Sequence, residues 1–162
     1  MLETIPINKD EIPVELYFAY GSNLDIDLMK VRCIEARFLS IGYLPGYRLG
    51  FTQYYAPLRG GVADIIESQG DKVWGKIYEL PLEDLYRLDA HEGHPTDYKR
   101  TQHYVITPEG EYRLAWVYSI VDKEESFVPP SRSYLEFIKR GAKDIGFPQD
   151  YLSFLEDIKT VD

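Results

Sequence analysis

Seven stretches of the chain, 14–20, 35–43, 46–53, 62–66, 72–79, 97–107 and 111–119, are rich in β-branched and aromatic residues. Turn formers separate them at Pro45-Gly46, Gly60-Gly61, Gly70-Asp71 and Pro108-Glu109-Gly110. Such spacing predicts about seven short strands, enough for a closed or nearly closed sheet. Elsewhere the period changes. Over 81–91, Pro81 opens a helix, Glu83 and Asp84 occupy its first turn, and Leu82, Leu85 and Leu88 form its buried stripe before Gly93. A second helix is capped by Ser131 or Ser133 and runs to about Ala142, with Leu135, Ile138 and Ala142 inward. A third covers about 149–158, with Leu152, Leu155 and Ile158 as its apolar positions. Strands throughout, one inserted helix and two terminal ones make an α+β pattern. It lacks the strict βαβα alternation of a doubly wound fold, which argues against a dinucleotide site. No repeat, low-complexity tract or linker interrupts the chain, so 14–162 is expected to form a single domain behind a loose lead-in over 1–13.

Composition agrees with that picture. The 162 residues suit one domain with a sizeable core, and 44% hydrophobic content with 14 tyrosines is globular. So many tyrosines suit strands and a pocket that needs rings with polar tips. The formal charge of −9 leaves no basic footprint, which argues against a nucleic-acid partner. An anionic ligand would be repelled at long range and must be captured by local donors. Cys33 is the single cysteine, excluding an internal disulfide and a thiolate metal cage. With no secretory signal at the start and no apolar run that could span a bilayer, a cytoplasmic protein without membrane contact is expected.

Two places offer chemistry. Tyr20-Gly21-Ser22-Asn23-Leu24 follows a strand and leads into a helix near Asp25. Such a turn can aim several backbone N–H groups at one spot, as carboxylate and oxyanion sites do. Asp89-Ala90-His91-Glu92-Gly93 places Glu92 at a helix C-terminus, where the dipole disfavours negative charge. From position alone, a solvated glutamate beside a capping glycine is the plainer account of Glu92. A partly buried carboxyl there would instead have a raised pKa and could move protons near neutrality. Asp89 could share a face with Glu92 as half of an acid pair, or could anchor the loop after the helix; the anchor is preferred. His91, His94 and His103 lack zinc spacing, because Gly93 and Pro95 break the helix between the first two. Ser22 lacks the flanking glycines of a nucleophile elbow, since Tyr20 and Leu24 hold those positions.

In order, Tyr20-Gly21-Ser22-Asn23-Leu24, Leu44-Pro45-Gly46-Tyr47-Arg48-Leu49, Gly60-Gly61-Val62-Ala63-Asp64-Ile65, Val73-Trp74-Gly75-Lys76-Ile77-Tyr78, Leu88-Asp89-Ala90-His91-Glu92-Gly93 and Pro130-Ser131-Arg132-Ser133-Tyr134-Leu135 resemble the γ-glutamylcyclotransferase (AIG2-like) family. The match spans about residues 14 to 155, and it reverses the plain reading of Glu92. The resemblance implies a small mixed β-barrel with helices packed outside. It also implies cofactor-free, metal-free cleavage of a small γ-glutamyl amide to 5-oxoproline and an amine. The family's catalytic glutamate falls on Glu92, its binding loop on Tyr20, Gly21, Ser22, Asn23 and Leu24, and its pocket tyrosines on Tyr98 and Tyr134. The leaving group is expected to meet loops near 54–60 and 120–130, where Asp122, Glu124 and Glu125 could favour a cationic amine; a solvated acidic loop explains them equally well. A non-enzymatic module binding a small acidic metabolite, and a hydrolase using Asp89 with Glu92, are the other readings. The pattern leaves monomer and homodimer equally open.

Overall fold

The computed structural model describes residues 13–162; the lead-in expected over 1–13 falls, apart from Pro13, outside the described residues. Five strands form a closed barrel in the order β1-β3-β2-β4-β5. They are β1 (Val14–Ala19), β2 (Arg37–Tyr55), β3 (Gly60–Pro81), β4 (Tyr98–Ile106) and β5 (Tyr112–Ile120). All neighbours run antiparallel except the closing pair, where β1 lies parallel to β5 with Tyr17 opposite Trp116. The barrel is therefore mixed.

The strand count is five rather than about seven because two expected turns are irregularities inside long strands. Pro45 pairs with Lys72 and Tyr47 pairs with Glu67, so β2 and β3 recover each other on both sides of the excursion around Gly46 and Gly70. A bulge accommodates a proline that a regular ladder would reject. The reversal between β2 and β3 lies instead at a 3-10 turn, Ala56–Leu58, followed by Arg59 in the left-handed region at φ 57°. Gly60 and Gly61 already belong to β3. They are small because the segment 121–131 crosses directly over them: Gly61 N–H donates to the Pro129 carbonyl at 2.8 Å, and a Cβ on Gly61 would overlap the Val128 carbonyl. Further bonds hold this strap, from Glu124 N–H to the Thr52 carbonyl (2.7 Å) and from Val128 N–H to the Phe51 carbonyl (2.9 Å). Asp64, wholly buried, accepts from Thr52 Oγ1, Ile120 N–H and Lys123 Nζ and so ties the strap's start to the barrel wall.

Alternate residues of β1 face opposite sides, as a two-residue period requires. Phe18 enters the barrel core with Leu44, Ile77, Val105 and Val117. Tyr17 and Ala19 face a second cluster with Met29, Cys33, Tyr78, Leu85, Leu88 and Tyr118. Helix α1 (Ile26–Arg32) is capped by Asp25, whose carboxylate accepts from Asp27 N–H and Leu28 N–H. Helix α2 (Leu82–Glu92) buries Leu85 and Leu88 completely, but Leu82 is exposed because it sits in the first turn, beyond the end of β3. Helix α3 (Arg132–Asp144) is capped by Ser131 and buries Leu135, Ile138 and Ala142 as expected. Helix α4 (Gln149–Glu156) buries Leu155, with Leu152 and Ile158 packed partly against the core. No helix of the described residues is long and apolar enough to cross a membrane.

Candidate active site

A cavity of about 350 Å³ is walled by the 20–23 turn, the end of α2, and β3, β4 and β5. Its lining includes Tyr20, Gly21, Ser22, Asn23, Glu92, Tyr98 and Tyr134, so residues far apart in sequence converge on one space. Leu24 is the exception among the site residues expected from sequence. Its side chain is wholly buried in the core and does not line the cavity.

The turn is rigid for identifiable reasons. Residues Ser22–Leu24 form a 3-10 turn in which Leu24 N–H and Asp25 N–H close on the carbonyls of Gly21 and Ser22, both at 3.0 Å. From below, the buried Lys76 donates to the Leu24 carbonyl at 2.6 Å, and burial lowers that amine's pKa. Tyr78 donates to the Asn23 carbonyl at 3.3 Å. Helix α3 presses on the turn at Gly141, where a Cβ would overlap the Leu24 carbonyl. Among the described residues, the N–H groups of Gly21, Ser22 and Asn23 donate to no protein acceptor. Three donors at the start of this turn thus stay available to an anion.

Glu92 ends α2, and Gly93 then turns the chain in the left-handed region at φ 69°. The carboxyl accepts no hydrogen bond from any described residue and lines the cavity. Burial pushes its pKa up to about 7, with Arg32 pulling modestly the other way. Its position at a helix C-terminus disfavours the charged form further. A carboxyl of this kind gains and loses a proton near neutrality.

Tyr98 and Tyr134 are held by one backbone residue. Tyr98 Oη donates to the Ala63 carbonyl at 2.7 Å, whereas Tyr134 Oη accepts from Ala63 N–H at 3.0 Å. Tyr134 therefore keeps its own proton to donate, and Tyr98 keeps lone pairs to accept. Burial raises the pKa of both phenols, so they remain protonated. Tyr20 donates to the Tyr118 carbonyl at 2.6 Å, and Asn23 Nδ2 donates to Tyr17 Oη at 2.9 Å.

Asp89 has a different task from Glu92. It accepts from Arg100 Nε at 2.8 Å and Tyr118 Oη at 2.7 Å and does not line the cavity. That is an anchor between α2 and the barrel, and it disfavours a two-carboxylate site. His94 Nδ1 accepts from Arg100 N–H at 3.2 Å, and His103 pairs with Thr101 Oγ1 at 2.8 Å; neither lines the cavity. Asp122, Glu124 and Glu125 also lie off the cavity, whose rim on that side is Gln53, Tyr55 and Leu58 from the β2–β3 hairpin. A second carboxylate, Asp97, reaches the lining from the turn after Gly93. Sequence reasoning passed over Arg32, which lines the same cavity and donates through Nη1 to Ser22 Oγ and Asn23 Oδ1. In the sequence it reads as a basic residue closing a short helix, where cations are ordinary.

A small closed barrel whose cavity holds a buried carboxyl beside, among the described residues, a cradle of free N–H groups has the features of a small-molecule enzyme. A profile of the AIG2-like family matches residues 72–155. The chain is 36% identical to γ-glutamylcyclotransferase of Bos taurus over 152 residues, covering 91% of this chain and 80% of the bovine protein. It is 34% identical to the Homo sapiens γ-glutamylcyclotransferase, again with 91% and 80% covered. A solved γ-glutamyl cyclotransferase structure superposes with a TM-score of 0.87 at 32% identity, covering 93% of this chain and 90% of that one. The chain belongs to the γ-glutamylcyclotransferase family.

Proposed function

We propose that this protein is a cofactor-free cyclotransferase that cleaves a γ-glutamyl amide to 5-oxoproline and a free amine, with Glu92 carrying the protons. The observation that supports this most strongly is the Glu92 carboxyl, unpartnered in the cavity and raised to about 7. The substrate's α-ammonium must lose a proton before its nitrogen can attack the γ-carbonyl. Closing the ring removes two protons from that nitrogen in all, and two arrive on the departing nitrogen. One carboxyl able to cycle near neutrality serves both ends. Attack is intramolecular and forms a five-membered ring, so holding the γ-glutamyl chain folded supplies much of the rate. Charge that grows on the γ-carbonyl oxygen is met by the N–H groups of Gly21, Ser22 and Asn23 and by the Tyr134 hydroxyl. Tyr98, with lone pairs to spare, suits the ammonium before it is deprotonated.

A binding module for an acidic metabolite is not favoured, because the relatives that match about nine-tenths of the chain are γ-glutamylcyclotransferases. The test is the Glu92→Gln variant, which keeps the volume and removes the proton carrier. It is expected to fold normally and lose at least about 100-fold in kcat. Near-normal turnover in that variant sinks the mechanism.

A further inference from the structure

We propose that Arg32 is the receptor for the α-carboxylate of the γ-glutamyl group and so fixes which end of the substrate faces Glu92. This rests on the cyclotransferase reading and assigns the part of the substrate that the turn and the tyrosines leave unaccounted for.

Among the described residues, Arg32 is the one lysine or arginine lining the cavity. It pairs with no carboxylate among the described residues, although the chain carries a net charge of −9. Its protein hydrogen bonds, to Ser22 Oγ and Asn23 Oδ1, both run through Nη1. The Nε and Nη2 donors have no protein acceptor among the described residues. These two nitrogens form the planar edge of a guanidinium that grips a carboxylate with two parallel bonds. The bonds to Ser22 and Asn23 hold the group still, so little ordering remains to be done when a ligand arrives.

The choice of carboxylate follows from the chemistry. The α-amine and α-carboxylate share one carbon, so a base in contact with the amine must have the carboxylate's receptor close by. Arg32 and Glu92 line the same cavity, and the guanidinium acts electrostatically on Glu92, Tyr134 and the neighbouring His91. Among the described residues, the side at Gln53, Tyr55 and Leu58, where a leaving group would emerge, holds no cation. With the α-carboxylate on Arg32, the free N–H groups of the turn remain for the γ-carbonyl oxygen.

Three substrates separate the roles: γ-glutamyl-alanine, γ-glutamyl-ethylamine, which lacks the leaving-group carboxylate, and γ-aminobutyryl-alanine, which lacks the α-carboxylate and would yield 2-pyrrolidinone. Compared on the plateau above each enzyme's acid limb, Arg32→Gln is expected to lose about 100-fold in kcat/KM on both γ-glutamyl substrates but only a few-fold on γ-aminobutyryl-alanine, which brings no α-carboxylate to the guanidinium. Arg32→Lys should recover part of the loss. An equal loss on all three substrates would mean that Arg32 only props the turn, and a loss confined to γ-glutamyl-alanine would move it to the leaving group; either overturns the proposal. Calorimetry gives a readout without turnover. On the Glu92→Gln background, adding Arg32→Gln is expected to abolish binding of 5-oxoproline and leave that of 2-pyrrolidinone unchanged, and undiminished 5-oxoproline binding contradicts the assignment. A wild type that converts no γ-glutamyl substrate overturns the reaction, while the calorimetric pair still decides Arg32.

Discussion

The residue scale is where stability and chemistry pull against each other, and Glu92 shows how. Its folded pKa of about 7 lies above the 4.5 of a free glutamate, so the native state holds the proton more tightly than the unfolded chain does. Between those values the unfolded state has lost its proton and the native state has not, so stability falls as pH rises. Glu92→Gln mimics the protonated form at every pH. The variant is expected to melt with the wild type at pH 4.5 and to exceed it by on the order of 1 to 3 kcal/mol above pH 8, read from thermal melts across that range. The acid limb of the wild type's kcat/KM profile is expected near pH 7, and Arg32→Gln should move it upward, because the guanidinium lowers the Glu92 pKa. A profile flat from pH 5 to 8 would leave Glu92 without its role. That Glu92 faces the cavity was legible from sequence only through its motif, since position at a helix end favoured plain solvation. Arg32 was not, because nothing in a one-dimensional pattern says that a helix-closing arginine turns towards a strand end ten residues earlier. Leu24 shows the reverse case: contiguity put it with the binding loop, and the geometry of the turn sends it into the core.

At the element scale the site depends on how tightly α2 and α3 are seated. Gly141 in α3 abuts the carbonyl of Leu24. On helix propensity alone, Gly141→Ala would stabilise by about 1 kcal/mol. The close approach reverses the sign: the variant is expected to lose about 1 to 3 kcal/mol and to lower kcat by displacing the turn, as melts and steady-state kinetics would show. A rise in melting temperature would mean that α3 can retreat without cost. Asp89 seats α2 through Arg100 and Tyr118. Asp89→Asn is expected to cost about 1 to 2 kcal/mol of stability while kcat/KM stays within a few-fold of wild type, whereas abolished turnover in a well-folded variant would restore the two-carboxylate alternative. The helices were legible because caps and periodicity are local, as Ser131, Leu135 and Ile138 illustrate. Pro45-Gly46 and Gly60-Gly61 misled, since the same residues that make turns also make bulges and close crossings. Only the partner strand, or the strap above it, distinguishes the cases.

For the whole molecule, closure of the barrel brings Gly21, Ala63, Glu92, Tyr98 and Tyr134 to one cavity. The mixed α+β class was readable from the run of strands and terminal helices, but the closing contact of β1 with β5 joins Tyr17 to Trp116 across most of the chain. No local signal encodes such a pairing. The most direct measurement is to incubate the wild type with γ-glutamyl-alanine in heavy-oxygen water, beside Glu92→Gln, and identify the products by mass spectrometry. Intramolecular attack predicts unlabelled 5-oxoproline with an equal amount of alanine from the wild type, and neither from the variant. Glutamate carrying the heavy oxygen, or undiminished product from Glu92→Gln, would contradict it.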